Sequence, residues 1–302
     1  MNYRLGCFAR AVLAGAALSA AAGAWAQGPL PEVHGAVALR ALHASLGEAL
    51  RASKFHTPLK LDSAEPSGSV RGDVYAEVDA DFDSVVRALG DVSHWCDVLL
   101  LHVNNRQCRV TSAGTAPTLV LGIVRKYDHA PDQAMRLALG YKLVAATPEY
   151  LEVQLSSPDG PMGTSNFQIL VQAVALPGKH TFLHFQNAYD AGTFATMATK
   201  AFLATFSSGK VGFTVVGKKS DGQPDFMAGV RGLMERNVMR YYLGIEAYLH
   251  AMPAPAEQQF DRRLEDWANA AERYPRQLHE VDRATYFALK RADHARDNSG
   301  WR

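Results

Sequence analysis

Charge of one sign is not in surplus: 31 Lys and Arg stand against 30 Asp and Glu, a formal balance of +1 over 302 residues. Such a chain has no basic face for neutralising phosphates, which excludes nucleic acid as a partner. Long apolar runs are also missing. The one candidate, Ala11 to Ala22, falls short of the roughly 20 residues that span a bilayer. The chain lacks the common catalytic signatures as well. No G-x-S-x-G elbow occurs, and Gly160-Pro161-Met162-Gly163-Thr164-Ser165 reads as a turn. His180 and His184 have helical zinc-protease spacing, but no Glu follows the first of them and they fall at a turn and a strand start. The segment Ser207 to Gly212 has a lysine after a glycine without the first glycine or the following Ser or Thr of a phosphate loop. Cysteine is scarce, with three in the chain. His94, Cys96, His102 and Cys108 do not have the paired close spacing of a structural zinc site, so no metal and no cofactor is expected.

What is present begins with a leader. Arg4 and Arg10, the apolar stretch and then Ala24-Trp25-Ala26 have the layout of a cleavable export signal, with cleavage near Ala26. Cys7 precedes the apolar stretch instead of following it, which argues against lipid attachment. The mature protein is therefore expected to be periplasmic or secreted. Cys96 and Cys108 remain as an even pair in an oxidising compartment, where a disulfide is favoured over a metal site. Closing so short a loop contributes about 3 kcal/mol, and it would pin a helix end to the strand that follows.

With 48% hydrophobic and 20% charged residues, the chain can bury a full core. Gly35 to Phe55 carries Val37, Leu39, Leu42, Leu46 and Leu50 at near-helical spacing. An extended link through Pro58 and Pro66 follows, then strict alternation from Val70 to Val78, the period of a half-buried strand. Asp81 or Asp83 can cap a helix from Phe82 to about Leu101, with Phe82, Val85, Val86, Leu89 and Val92 on one side and Trp95 beyond. The middle reads as an antiparallel meander: 118–127, 135–144, 151–155, 167–173 and 181–189 are apolar runs separated by turns such as Pro177-Gly178-Lys179. A short helix around Phe194 to Phe206 and a strand from Val211 to Val216 come next. A long helix is expected from Pro224 to Met252, Pro224 taking a first-turn position. Its stripe of Val230, Met234, Val238, Tyr241, Ile245 and Leu249, broadened by Phe226, Leu233, Tyr242 and Tyr248, requires a large apolar partner. After Pro253-Ala254-Pro255 the charge alternates, while Phe260, Leu264, Trp267, Ala271 and Tyr274 keep one apolar face and Leu278, Val281, Ala288 and Leu289 suggest a further short helix. These helices are expected to dock on the main domain.

This order of elements, with the segment EVDADFDSVVRALGDVSHWC from Glu77 to Cys96, resembles the START and polyketide-cyclase (SRPBCC) superfamily over roughly residues 68 to 252. The resemblance implies an α+β helix-grip fold, in which a curved antiparallel sheet wraps a C-terminal helix and leaves a cavity for lipids, sterols or other apolar molecules. It divides the chain into a leader (1–26), an N-terminal helix and linker (27–67), a helix-grip domain (68–252) and a charged helical tail (253–302). Trp95, Leu139, Tyr141, Phe167, Ile169, Val230, Met234 and Tyr241 are the expected wall residues, with Arg136 and His184 as polar contacts. Lys126, Glu152 and Asn166 are further polar strand residues that would orient a ligand if they faced inward. A one-residue error in strand phase would exchange half of these names. The leading expectation is an exported, noncatalytic carrier of a hydrophobic ligand. Two alternatives stay open: an acid-base enzyme acting on a polyketide or steroid-like substrate, and an envelope module whose tail docks a partner.

Overall fold

The computed structural model describes residues 33–298 other than 67, 113–115, 193–196 and 198–208. The expected leader and the short helix expected from Phe194 to Phe206 lie outside the described residues. Alternating sequence produces the strands β1 (Leu59–Ala64), β2 (Ser69–Val78), β3 (Asn105–Thr111), β4 (Thr118–Ile123), β5 (Met135–Ala146), β6 (Tyr150–Asp159), β7 (Ser165–Leu176) and β8 (His180–Asp190). They form one eight-stranded sheet in the order β1-β2-β8-β7-β6-β5-β4-β3, with every neighbouring pair antiparallel. From β2 the chain crosses to the far edge and then returns strand by strand until β8 lies beside β2. The sequence read β1 as part of a link. Its Leu59 and Leu61 belong to the main core, but a six-residue strand between prolines gives little periodicity to detect.

Helix α1 (Ala36–Arg51) precedes the sheet, and the crossover from β2 to β3 is made by α2 (Phe82–Leu89) and α3 (Trp95–Leu99). Asp81 caps α2, accepting the Ser84 backbone N–H at 2.8 Å. The single helix expected from Phe82 to Leu101 is instead broken by Gly90 and a 3-10 turn at Val92–His94, where the Asp91 carboxylate accepts from Ser93 N–H. Trp95 then folds back and donates its indole N–H to the Leu89 carbonyl at 2.9 Å. Cys96 of α3 and Cys108 of β3 form a disulfide, as the compartment argument anticipated, and this removes both sulfurs as metal ligands.

Helix α4 (Gly229–Ala251) is the rod inside the sheet. It begins five residues later than expected because Pro224–Phe226 forms a strand (β10) that pairs with Val215–Lys218 (β9) in a separate hairpin. The polar stretch between them is the hairpin's turn, with Gly222 at φ +80°. The strand expected from Val211 to Val216 is thus displaced and stands outside the main sheet, leaving Val215 and Val216 exposed. The expected stripe on α4 is buried throughout. At one edge the helix lies directly on the sheet: a Cβ on Gly72 of β2 would come within 2.5 Å of Val238 and 2.7 Å of Met234. The absent side chain is what permits that approach.

Beyond Pro255 lie α5 (Ala256–Glu272), α6 (Pro275–Leu278) and α7 (Arg283–Asn298). Leu264, Trp267, Ala271, Leu278 and Tyr286 join the same apolar core as the sheet and α4, so the tail docks as expected. Trp267 stacks on Tyr286 at 4.9 Å and donates to the Arg240 carbonyl. On α7, Tyr286, Lys290 and Asp293 are buried, whereas Ala288 is exposed, a face different from the one expected. Among the described residues, no helix is long and apolar enough to cross a membrane.

Candidate functional site

The two faces of the sheet differ in chemistry. Successive side chains point to opposite faces, and on β8 Leu183 and Phe185 join the core around α4 whereas Phe182 joins the cluster under α1. Helix α1 lays Leu39, Leu42, Leu46 and Leu50 on that outer face, against Tyr75, Tyr150, Val174 and Phe182. Val37, counted into the stripe from sequence, is exposed.

Beneath α1 runs a buried polar network. His184 reaches Asp73 at 2.9 Å through Nε2 and Gln172 at 3.0 Å through Nδ1, and its ring stacks on Tyr75 at 4.5 Å. Gln186 and Arg71 also donate to Asp73. Gln172 donates to the Tyr150 hydroxyl and to the Val33 carbonyl, and Tyr150 donates to Glu152. His184 was expected on the cavity wall. It shares a face with Phe182 and Gln186, as the alternation implied, but that face is the outer one. Arg136 is likewise exposed, one residue out of phase with inward Leu137. Lys126 is exposed and paired with Asp128, Glu152 belongs to the outer network, and Asn166 binds Asp190 at the sheet end.

This network has a measurable consequence. Burial by itself raises the Asp73 carboxyl, but the His184 hydrogen bond and charge, Arg71 and Gln186 outweigh it and leave the group below its ordinary 3.8. A carboxyl depressed in the fold favours the folded state above its unfolded value, and this contribution is lost as the pH falls through the lower folded value. Urea unfolding between pH 7 and pH 3 should therefore show stability declining in the acid limb below about pH 4. Asp73→Asn should be less stable at neutral pH and flatter in that limb, and equal slopes for the two proteins would exclude Asp73 as a contributor.

On the inner face, α4 touches the sheet at Gly72 and departs from it toward β4, β5 and β7. The gap is a cavity of about 140 Å3. Ile123, Met135, Phe167, Asn187 and Tyr189 line it from the sheet side, Leu233, Asn237 and Tyr241 from α4, and His102, Asn104 and Asn105 from the turn before β3, while Arg125 and the Pro161–Thr164 loop also contribute. The α4 lining residues recur every four positions, one ridge over from the Met234 and Val238 pair that seals the Gly72 edge.

Of the eight expected wall residues, Phe167 and Tyr241 line this cavity. Leu139 and Ile169 face the same side but are packed into the solid core. Tyr141 extends to the other end, where its hydroxyl donates to the Gly90 carbonyl at 2.6 Å and burial raises its pKa to about 12. Trp95 supports α3, and Met234 closes on Gly72 while Val230 packs into the same core. The sequence reading missed His102, Asn105, Asn187, Tyr189 and Asn237. Tyr189 lay at the end of a predicted strand in phase with Phe185, a usable signal. His102 and Asn105 lie in a connecting turn without periodicity.

Burial, then the charges of Arg240 and Lys290, push the His102 imidazole well below 6.5, so it is neutral at neutral pH. The hydroxyls of Tyr241 and Tyr189 are raised by burial, the latter to about 12. The cavity thus offers apolar surface, amides and neutral hydroxyls.

No protein-family description and no curated protein matches the chain. Among solved structures, it is similar to a conserved protein of unknown function from Enterococcus faecalis, at 12% identity over 70% of this chain and 92% of that one, TM-score 0.34. It is also similar to the lipid transfer and protein localization domain of human StarD13, at 11% identity, 53% and 88% coverage and TM-score 0.34. A START superfamily protein from Mycobacterium smegmatis gives 12% identity, 46% and 94% coverage and TM-score 0.31. Scores this low carry nothing about ligand or chemistry. The order β2-β8-β7-β6-β5-β4-β3, the α2–α3 crossover and α4 laid across the inner face make this an α+β helix-grip fold.

Proposed function

We propose that the protein binds a small hydrophobic molecule, about the size of one aromatic ring, between its sheet and α4, and that it does so after export. The observation that carries this reading is the hollow of about 140 Å3 beside Phe167 and Tyr241. An apolar cavity of about 150 Å3 accepts benzene, whereas drug-sized ligands occupy roughly 300–1,000 Å3. A whole sterol or long acyl chain exceeds the space, so the carrier expected from sequence narrows to a binder of smaller cargo. The Cys96–Cys108 disulfide supports an oxidising location.

Titration of the purified protein with p-cresol, followed by NMR, tests the site. Resonances of Phe167, Tyr189 and Tyr241 should shift at saturation. Leu233→Trp, which places an indole in the hollow, should weaken binding more than about tenfold, a loss of about 1.4 kcal/mol, while the protein remains folded. Undiminished binding by folded Leu233→Trp, or recovery of one palmitate per protein in solvent extracts, would overturn the assignment.

A further inference from the structure

The hollow between the sheet and α4 lies at one end of the sheet, where β4 and β8 finish and β5 and β7 begin. Ile123, Met135, Phe167 and Tyr189 line it, and each stands within two residues of its strand's end. Arg125, two residues past β4, is at once a lining residue and exposed. It therefore marks where the hollow meets water.

The backbone that carries Arg125 is held on both sides. Val124 N–H donates to the Asn104 carbonyl at 2.9 Å, and the Tyr127 and His129 carbonyls accept from the buried Arg106 guanidinium. Among the described residues, the Arg125 guanidinium itself has neither a hydrogen bond nor an ion pair. The cations around it are already matched, Lys126 by Asp128 at 2.6 Å and Arg106 by Asp293 at 2.8 Å. Asp132, on the same loop, is exposed and does not line the hollow. No carboxylate is among the described lining residues. Beside β8 the character is opposite, since burial and then the charge of Glu65 raise the Tyr189 hydroxyl, and that side disfavours an anion. A carboxylate deep in the hollow would lose its hydration with nothing to replace it, so a negative charge on a ligand belongs at the mouth.

We infer that the ligand is a small aryl acid, its ring in the hollow and its carboxylate at the mouth against the Arg125 guanidinium, which makes Arg125 the residue that selects the charged end of the molecule. This rests on the cavity being a binding site. A planar guanidinium can meet both carboxylate oxygens at once. Because it is hydrated in the free protein, the gain is that of an exposed pair and not of a buried one. Its main result is discrimination: a neutral amide of the same shape makes a weaker contact, and an amine is repelled.

Affinities of the purified protein for phenylacetate, 3-phenylpropionate and 4-phenylbutyrate, each beside its primary amide and all beside p-cresol, test the inference by calorimetry at low salt. The acid of best-fitting length should bind about threefold to fivefold more tightly than its amide, and in roughly 0.5 M NaCl the preference should largely vanish. Arg125→Gln should bring each acid to the affinity of its own amide, and Arg125→Lys should keep part of the preference. The ratio is taken within each protein, so a general loss of binding does not imitate this result. Acids binding wild type no better than their amides at all three lengths, or a preference that survives in Arg125→Gln, would overturn the inference while p-cresol binding still upheld the cavity. Failure of p-cresol together with all six compounds would remove the binding function, and this inference with it.

Discussion

Replacing Asp293 with alanine should lower the stability by about 3–5 kcal/mol, the usual result of removing one partner from a buried ion pair. Asp293 and Arg106 are both buried, and the Arg106 Nε–H binds the carboxylate at 3.0 and 2.8 Å. The guanidinium also donates to the Tyr127 and His129 carbonyls at 2.9 and 3.0 Å. Lys290, 3.6 Å from the same carboxylate, is buried too. Without Asp293, the buried Arg106 and Lys290 and the half-buried Arg296 are left with one counter-charge fewer, and β3 loses one of its ties to α7. At about 2–4 °C per kcal/mol for a chain of this size, the melting temperature should fall by roughly 10 °C. The double change Arg106→Met with Asp293→Leu should recover part of the loss, since apolar replacement of both partners avoids the stranded charge. Calorimetry of the three proteins checks this. A single variant within 1 kcal/mol of wild type would mean that water or relaxation screens the pair.

This ion pair also shows where sequence reading stops. The meander and α4 were legible because apolar residues at period 2, and then in a broad helical stripe, have one physical use each. Arg106 and Asp293 fit no such pattern: they are 187 positions apart, and a charged residue on a strand or helix is ordinarily solvated. The same rule misplaced the outer face. Tyr75 and Gln172 were read only as the residues alternating with the apolar face, His184 as a polar contact of the cavity and Glu152 as a ligand-orienting residue if inward, yet all four lie under α1. The leucines of α1 were a signal in their own right, because a stripe of four leucines must cover something. Strand phase was read correctly, but which face met α4 was not resolved for β8. The cavity depends on how far α4 stands from the sheet, a tertiary distance. Gly72 stood in the sequence only as a member of the Val70–Val78 alternation, and that its missing side chain lets α4 close on this edge is a fact of the packing.

The disulfide links the stability of this region to the proposed site. Cys96 and Cys108 are separated by 12 residues, and the loop they close contains His102, Asn104 and Asn105, three of the cavity-lining residues. It also contains Val98, whose carbonyl would lie 3.0 Å from a Cβ on Gly244, so the loop is wedged against the middle of α4. Replacing both cysteines with alanine should therefore have two effects. By restoring freedom to the unfolded chain, it should cost about 3 kcal/mol, seen as a lower urea midpoint with an unchanged native circular dichroism spectrum. It should also weaken p-cresol binding, because the turn bearing His102 and Asn105 then loses its covalent anchor and is held by hydrogen bonds such as Asn105–Leu99, Tyr286–Leu101 and the Lys290 contacts. If α3 and Lys290 were sufficient to position the turn, stability would fall while affinity stayed at the wild-type value. Parallel loss of both would instead identify the disulfide as the brace of the cavity, and reduction with dithiothreitol of the otherwise unaltered protein should reproduce that loss.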